Sequence, residues 1–487
     1  MHYDIREQNT FREVLDDLRS KYGEKQLFVW YNASRTEKSS VTSLQFCRQA
    51  ETLGAYLLSR SFAHKKIAIY GENSYAWLLA FFAITCSGNT AVLMDYNLSA
   101  REQTELAQYT DCDAVLFSSR YAQQAAEMQK ELSVPFIALE ELPQIAAGTV
   151  EDRWQEAYRS MVVLPEDEAA IAFTSSTTGR RKGVVLTQRN IADNAVWAAR
   201  QFMYYSRYLL CPPLFHLYGL STVLWGMLWG STGFINSDFS VFMLDLQEFQ
   251  PDMLSVVPAL LPTLYNYYAK NPPAGRIKVT SCGAPTSSEW LRKFRDLNVY
   301  IYTGYGMTEC SPGIAPPCDL FYLDGHSDKI CGCCEVKIDQ PNADGAGEIL
   351  VRGASVMKGY YKMPEETAEV LRDGWLYTGD IGTLTEDGFL TVVGRKKNLL
   401  VLSNGENIPP EPLENQIMSL PGVTECVVVC RSGLLAAEVY APEGEEAVIR
   451  SGIKEISRTL PGYSQIAKII FRQEPLPKNS LGKILRT

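Results

Sequence analysis

The amino-acid sequence predicts an α/β protein, with a large layered N-terminal domain of several subdomains and a small α+β domain at the C-terminus. Three observations carry this reading. The chain has 487 residues, more than one hydrophobic core supports, so at least two domains are expected. Short β-rich runs alternate with helical patterns along the earlier part of the chain, which signals helices covering a sheet. Near residue 347 that alternation gives way to short strands separated by turn signals.

Taken in order, KKIAIYG reads as a strand ending at Gly71, and Ser74 to Ser87 as a buried helix. DAVLFSS, PFIALEE and DEAAIAFTSS follow as strands. GEILVRG and DGFLTVVGRKKN are short strands of the later kind. Beyond Lys397 the pattern gives a helix (Pro412 to Leu420), two strands (Cys426 to Cys430, Leu434 to Tyr440), a helix (Ala447 to Leu460) and a strand (Lys468 to Arg472). That is an α+β unit of about 90 residues, within the usual domain range. The boundary is placed at Lys396–Lys397, dividing 1–396 from 397–487.

A composition of 46% hydrophobic and 21% charged residues is ordinary for a globular protein and excludes disorder or fibrous repeats. The net charge of −10 gives no general attraction for nucleic acid or anionic membrane. An anionic substrate must therefore be held by local groups. The first 25 residues are charged throughout, without an apolar signal core, so the 12 cysteines are expected as thiols in the cytoplasm. Two uncharged stretches have the length of a membrane span. Ser87-Gly88-Asn89 splits the first, Ser74 to Met94. Pro212-Pro213 and His216 interrupt the second, Tyr208 to Ser237. Both are expected as elements of the globular fold, with no transmembrane segment.

FTSSTTGRRKG, from Phe173 to Gly183, is a strand running into a loop of Ser, Thr and Gly closed by Lys182. Small hydroxylated residues let backbone N–H groups and hydroxyls converge on phosphate oxygens, and Arg180, Arg181 and Lys182 add charge. The GxxxxGK[ST] spacing is absent. This loop resembles the signature of the adenylate-forming superfamily of acyl-CoA synthetases, luciferases and peptide-synthetase adenylation domains. Four further stretches resemble that family's motifs in its order: PLFHLYG (213–219), YGMTE (305–309), YTGD (377–380) followed by GRKK (394–397), and PKNSLGK (477–483).

The resemblance implies an enzyme that activates a small-molecule carboxylic acid with ATP and Mg²⁺ and passes the acyl group to coenzyme A. Loading of a phosphopantetheinyl carrier protein is the alternative acceptor reaction, and a non-catalytic nucleotide-binding homologue is a third reading. It further implies a mobile C-terminal domain turning on Lys397. Thr174, Ser175, Ser176, Thr177, Thr178, Gly179 and Lys182 would form the phosphate loop. Gly283, Ala284 and Pro285 would line one adenine face, with Tyr305 stacked on the base beside Gly306. Thr308 would contact the α-phosphate and Glu309 would hold Mg²⁺, a hard cation that takes carboxylate oxygen. Asp380 would accept from both ribose hydroxyls, and Arg395 would reach the ribose or phosphate. Lys483 would lie between the acid carboxylate and the α-phosphate, where a compact ammonium needs no fixed geometry. His216, Gly219, Gly304 and Gly405 would border the acyl pocket and thiol channel. No Asp occurs between Pro212 and Gly230, where amino-acid-activating members carry one, so a plain fatty or aryl acid is expected. Trp225 and Trp229 either shorten that pocket or pack in the core.

Two departures stand out. Ser176 replaces a family Gly and Arg181 a family Pro, which bears on how the loop holds phosphate. Cys310, Cys318, Cys331, Cys333 and Cys334 crowd a short stretch, but C-x-C-C is not the spacing of a zinc ligand pair.

Overall fold

The computed structural model describes residues 4–477, apart from 33, 175–180, 203, 284–285, 287, 319–326, 403–406, 432–433 and 461–464, together with residue 484. Its first sheet has seven strands in the spatial order 359–360, 182–187, 168–174, 90–94, 66–70, 114–117 and 136–138. The five strands from 168–174 to 136–138 run parallel, and the other two pair antiparallel. Parallel strands covered on both faces read as continuous apolar runs, which is how KIAIY and TAVLM appear.

The helix Tyr75–Cys86 follows the strand Lys66–Tyr70 as its sequence predicts. Ser74 caps it, its side chain accepting from the Trp77 amide, and every residue of the helix is buried. A helix apolar all round has no solvent face. It packs into the main core with Phe11, Phe46 and Leu53. Among the described residues no helix is long and apolar enough to cross a membrane.

The second sheet orders its seven strands 299–303, 277–281, 253–256, 207–210, 232–235, 26–31 and 38–42, all parallel except the last pair. Period-2 alternation divides its side chains between two faces. Met253, Tyr208 and Tyr302 join the main core with helix Leu217–Trp229, while Leu254, Val256, Val279 and Ile301 face a separate core. Trp225 and Trp229 are buried in the main core, the packing role sequence spacing allowed.

A third sheet is antiparallel and orders 327–329, 389–395, 375–384, 347–353 and 334–339, with 371–372 paired at its side. The change of character therefore begins before residue 347. The strand Cys334–Asp339 was hidden because Glu335, Lys337 and Asp339 alternate with its less polar positions. Beyond it, strands 425–431, 434–440 and 466–472 form a small sheet with helices Glu411–Met418 and Glu446–Thr459. Each matches its sequence expectation to within two residues, the usual uncertainty of element ends. Leu413, Ile417, Val428, Val439, Ile449 and Ile453 give this unit its own core.

Candidate active site

The first and third sheets and the start of helix Leu217–Trp229 enclose a cavity of about 740 Å³. Thr174, Lys182, His216, Gly283, Gly306, Thr308, Glu309, Arg395 and Lys397 all line it, so four of the sequence motifs converge there together with Gly283. Among the described residues its wall carries Arg181, Lys182, Arg395, Lys396 and Lys397 with the acids Asp95 and Glu309, and Asp380 and Glu348 pair with Arg395 and Lys396 beside it. An acidic protein thus presents a locally cationic pocket, the arrangement its net charge requires for an anionic ligand.

Thr174 ends one strand and Lys182 begins its antiparallel neighbour, the two residues being cross-strand partners. The loop itself, with Ser175, Ser176, Thr177, Thr178 and Gly179, lies outside the described residues, as do Ala284, Pro285, Gly405 and Lys483. The Lys182 ammonium sits 4.5 Å from the centroid of the Tyr360 ring.

Tyr360 also donates its hydroxyl to Glu309 Oε1 at 2.9 Å. Glu309 lies in the 3₁₀ turn Thr308–Cys310 and is only 7% exposed. Burial raises its pKa above the ordinary carboxylate value, against hydrogen bonds and the cations Arg395 and Lys182 that pull it down. The strand Gly359–Tyr360 pairs with the strand that begins at Lys182, and this pairing brings Tyr360 to the site. Sequence reasoning missed Tyr360 because no local pattern reports a partner so far along the chain.

Asp380 is the second focus. Its Oδ2 accepts from the Tyr305 hydroxyl at 2.7 Å and its Oδ1 from Arg395 Nε at 2.6 Å. Asp380 and Arg395 are cross-strand partners on neighbouring strands of the third sheet, so sheet register sets their meeting. Burial and the neighbouring carboxylate push the Tyr305 phenol well above its ordinary value, so it stays a donor. Thr378 supports this corner: its hydroxyl accepts from the Asp380 amide at 3.1 Å and donates to the Ile349 carbonyl at 2.8 Å. Gly379 adopts φ +71°, a left-handed conformation that favours glycine. Its amide donates to Glu348 Oε1, and Lys396 Nζ donates to Glu348 Oε2 at 2.7 Å. Glu348 therefore ties the TGD turn to the basic segment, a role the sequence alone did not disclose.

His216 occupies the N-cap position of helix Leu217–Trp229, its ring 4.3 Å from that of Phe215. Burial lowers its pKa, with Asp95 opposing and Arg181 reinforcing that shift, which favours neutral imidazole. Gly219 fixes the turn before it: a Cβ there would stand 2.3 Å from the Pro213 carbonyl oxygen. Gly304 is confined in the same way by Pro317. Asn73 holds the segment from the first sheet, donating to the Pro212 carbonyl at 3.0 Å and accepting from the Leu214 amide at 2.8 Å.

The chain has relatives among known proteins. Residues 16–361 match the family model of the AMP-binding enzymes. The chain belongs to that family. It is 30% identical to a feruloyl-CoA synthase of an Amycolatopsis species, over 86% of this chain and 87% of the relative. It is 29% identical to a 2-succinylbenzoate–CoA ligase of Bacillus mycoides, covering 87% of each. The o-succinylbenzoate coenzyme A synthetase of Bacillus subtilis, solved with ATP and magnesium, superposes with a TM-score of 0.79 at 26% identity, covering 97% of this chain and 98% of that one.

Proposed function

We propose that this protein is an ATP-dependent acid–thiol ligase. It joins a carboxylic acid to AMP with release of pyrophosphate, then transfers the acyl group to the thiol of coenzyme A. The observation that carries this reading is the approach of Tyr305, Arg395 and Asp380 at the edge of a cationic cavity that also holds Thr308 and Glu309. The named functions of the relatives, all ligases that form a coenzyme A thioester, support coenzyme A as the acceptor.

The chemical difficulty is that an acid carboxylate must attack an α-phosphate while both are anions. Positioning and fixed positive charge meet it. Asp380 takes the ribose hydroxyls on lone pairs left by Tyr305 and Arg395. Tyr305 offers its ring to the base, while Lys182 and Arg395 face the phosphates. Glu309 fits a hard cation: its carboxylate is buried at the cavity wall with the Tyr360 phenol donating to Oε1. Mg²⁺ held there would neutralise phosphate charge. Neutral His216 stands at the opposite wall, where the acyl group would meet the acceptor thiol.

The chain divides at Lys396–Lys397 in this proposal, and residues 397–487 move as a unit about Lys397. The separate core of the C-terminal sheet and helices supports the division. Lys483, outside the described residues, is assigned to the first half-reaction and swings away for the second. We place the protein in the cytoplasm, a reading that the buried thiols Cys47, Cys86 and Cys112 support. Pyrophosphate release that requires both ATP and an acid, followed by thioester formation on addition of coenzyme A, tests the reading. Turnover that responds only to a phosphopantetheinylated carrier protein would replace the acceptor.

A further inference from the structure

Cys331, Cys333 and Cys334 fold into one turn. Cys331, Gly332, Cys333 and Cys334 form a turn closed by the Cys334 amide, which donates to the Cys331 carbonyl at 3.2 Å. Inside it the sulfurs of Cys331 and Cys333 lie 3.1 Å apart. The sulfurs are buried, yet Gly332 between them is exposed, so the turn itself reaches solvent. Among the described residues no group of three or more His, Cys, Asp or Glu side chains is arranged to hold a metal.

Asn194 links the turn to the catalytic wall. From helix Gln188–Gln201 its amide donates to the Gly313 carbonyl at 2.7 Å and the Cys310 carbonyl at 3.4 Å, and reaches Cys333 Sγ at 3.6 Å. Cys310 closes the same 3₁₀ turn that carries Thr308 and Glu309. A second link runs through Ile314, whose carbonyl accepts from the Cys331 amide at 2.7 Å and from the Cys334 thiol at 3.6 Å. Asn194 thus connects the Cys333 sulfur to the carbonyl of Cys310, the residue after Glu309, and Ile314 ties the turn to the strand Gly313–Ala315. Hydrogen bonds from Cys331 and Cys334 lower the Cys333 pKa against the cost of its burial, which favours the nucleophilic thiolate.

Resting on the ligase reading above, we propose that Cys331 and Cys333 form a dithiol modification site, closed to a disulfide by a peroxide, that governs the placement of the Glu309 turn. Cys333 sulfur attacks one peroxide oxygen, the O–O bond breaks, and a sulfenic acid forms as water leaves. Cys331 sulfur then displaces the sulfenic oxygen as a second water, forming the S–S bond. Both sulfurs are oxidised, one peroxide is reduced to two waters, and no further reactant is needed. Closure draws the sulfurs from 3.1 Å to about 2.05 Å and takes Cys333 Sγ away from the Asn194 amide.

The test treats the full-length protein with hydrogen peroxide, alkylates the remaining thiols and digests it with trypsin. One peptide, Ile330 to Lys337, holds all three cysteines. We expect it two hydrogens lighter with Cys334 alone alkylated. Pyrophosphate release should fall about ten- to a hundredfold, the scale of a small misplacement of a reacting group, and dithiothreitol should restore it. Cys331→Ser, or Cys331→Ala should the first not fold, should keep its activity under peroxide. Cys334→Ser should remain sensitive. A wild-type peptide with three alkylated cysteines after inactivation, or a Cys331 variant still reversibly inactivated, would overturn the proposal. The peptide mass is read without any activity, so a crosslinked protein that never releases pyrophosphate even when reduced indicts the ligase reading and not the dithiol chemistry.

Discussion

Asp380→Asn removes one charge and changes almost nothing in shape. The side chain is 6% exposed and each oxygen accepts one bond, from Tyr305 at 2.7 Å and from Arg395 at 2.6 Å. The new amide must turn its NH₂ toward one of these two donors, so one bond is lost and the other loses its charge. Hydrogen bonds to charged groups contribute roughly 1.5–3 kcal/mol each. The Arg395 side chain is 37% exposed, so solvent screening reduces its share. A net loss of about 2–3 kcal/mol, or roughly 30- to 160-fold in kcat/KM for ATP, follows. Ribose recognition by the carboxylate predicts that the loss appears in the ATP dependence and in equilibrium ATP binding. Pyrophosphate release measured against ATP at saturating acid gives the first, and calorimetric titration of ATP the second. Unchanged ATP dependence, with the defect confined to the acid or to the thioester step, would refute the assignment.

Three further outcomes follow from other parts of the site. Glu309→Gln should cut adenylation about 10²–10³-fold, the scale for one well-placed electrostatic group. The folded Glu309 binds its proton more tightly than the unfolded chain does, so native stability falls as pH rises from the unfolded toward the folded value. Without metal or nucleotide the Gln variant should therefore melt higher than wild type at neutral pH and equally at pH below the ordinary Glu range; equal melting at both would show that burial does not strain this carboxylate. Gly219→Ala places a Cβ against the Pro213 carbonyl and should cost about 1–3 kcal/mol in chemical denaturation, as overpacking does, while an unaffected midpoint would show that the turn yields freely. Lys483→Ala should lower adenylation about 10²–10³-fold yet leave conversion of synthetic acyl-adenylate to thioester near wild type, and equal loss in both half-reactions would contradict the two-pose mechanism.

Much of this was legible in the sequence, for local physical reasons. Ser74 before an uncharged run predicts a capped, buried helix, and the helix Tyr75–Cys86 is that element. PLFHLYG reads as a motif, but the reason for its glycine, a carbonyl 2.3 Å from any Cβ, appears only in three dimensions. The Asp380–Arg395 meeting depends on strand register, which separate motifs do not fix. Tyr360 and Glu348 escaped notice because their partners come from strand pairing and sheet-corner packing, not from spacing. Cys334–Asp339 was missed because alternating charges on a half-exposed strand resemble a loop. The cysteine run was visible as an anomaly. Its link to Glu309 passes through Asn194, a residue with no signal of its own.

The measurement that bears most directly on the central claim is product analysis with an acid panel of aryl and fatty members. Each acid is incubated with ATP and Mg²⁺, with and without coenzyme A, and the products are resolved by mass spectrometry. The account predicts at least one acid that yields acyl-AMP and pyrophosphate without coenzyme A, and AMP with stoichiometric acyl-CoA when it is added. Acyl-AMP that persists beside unreacted coenzyme A, or ATP cleaved to ADP and phosphate, would contradict it.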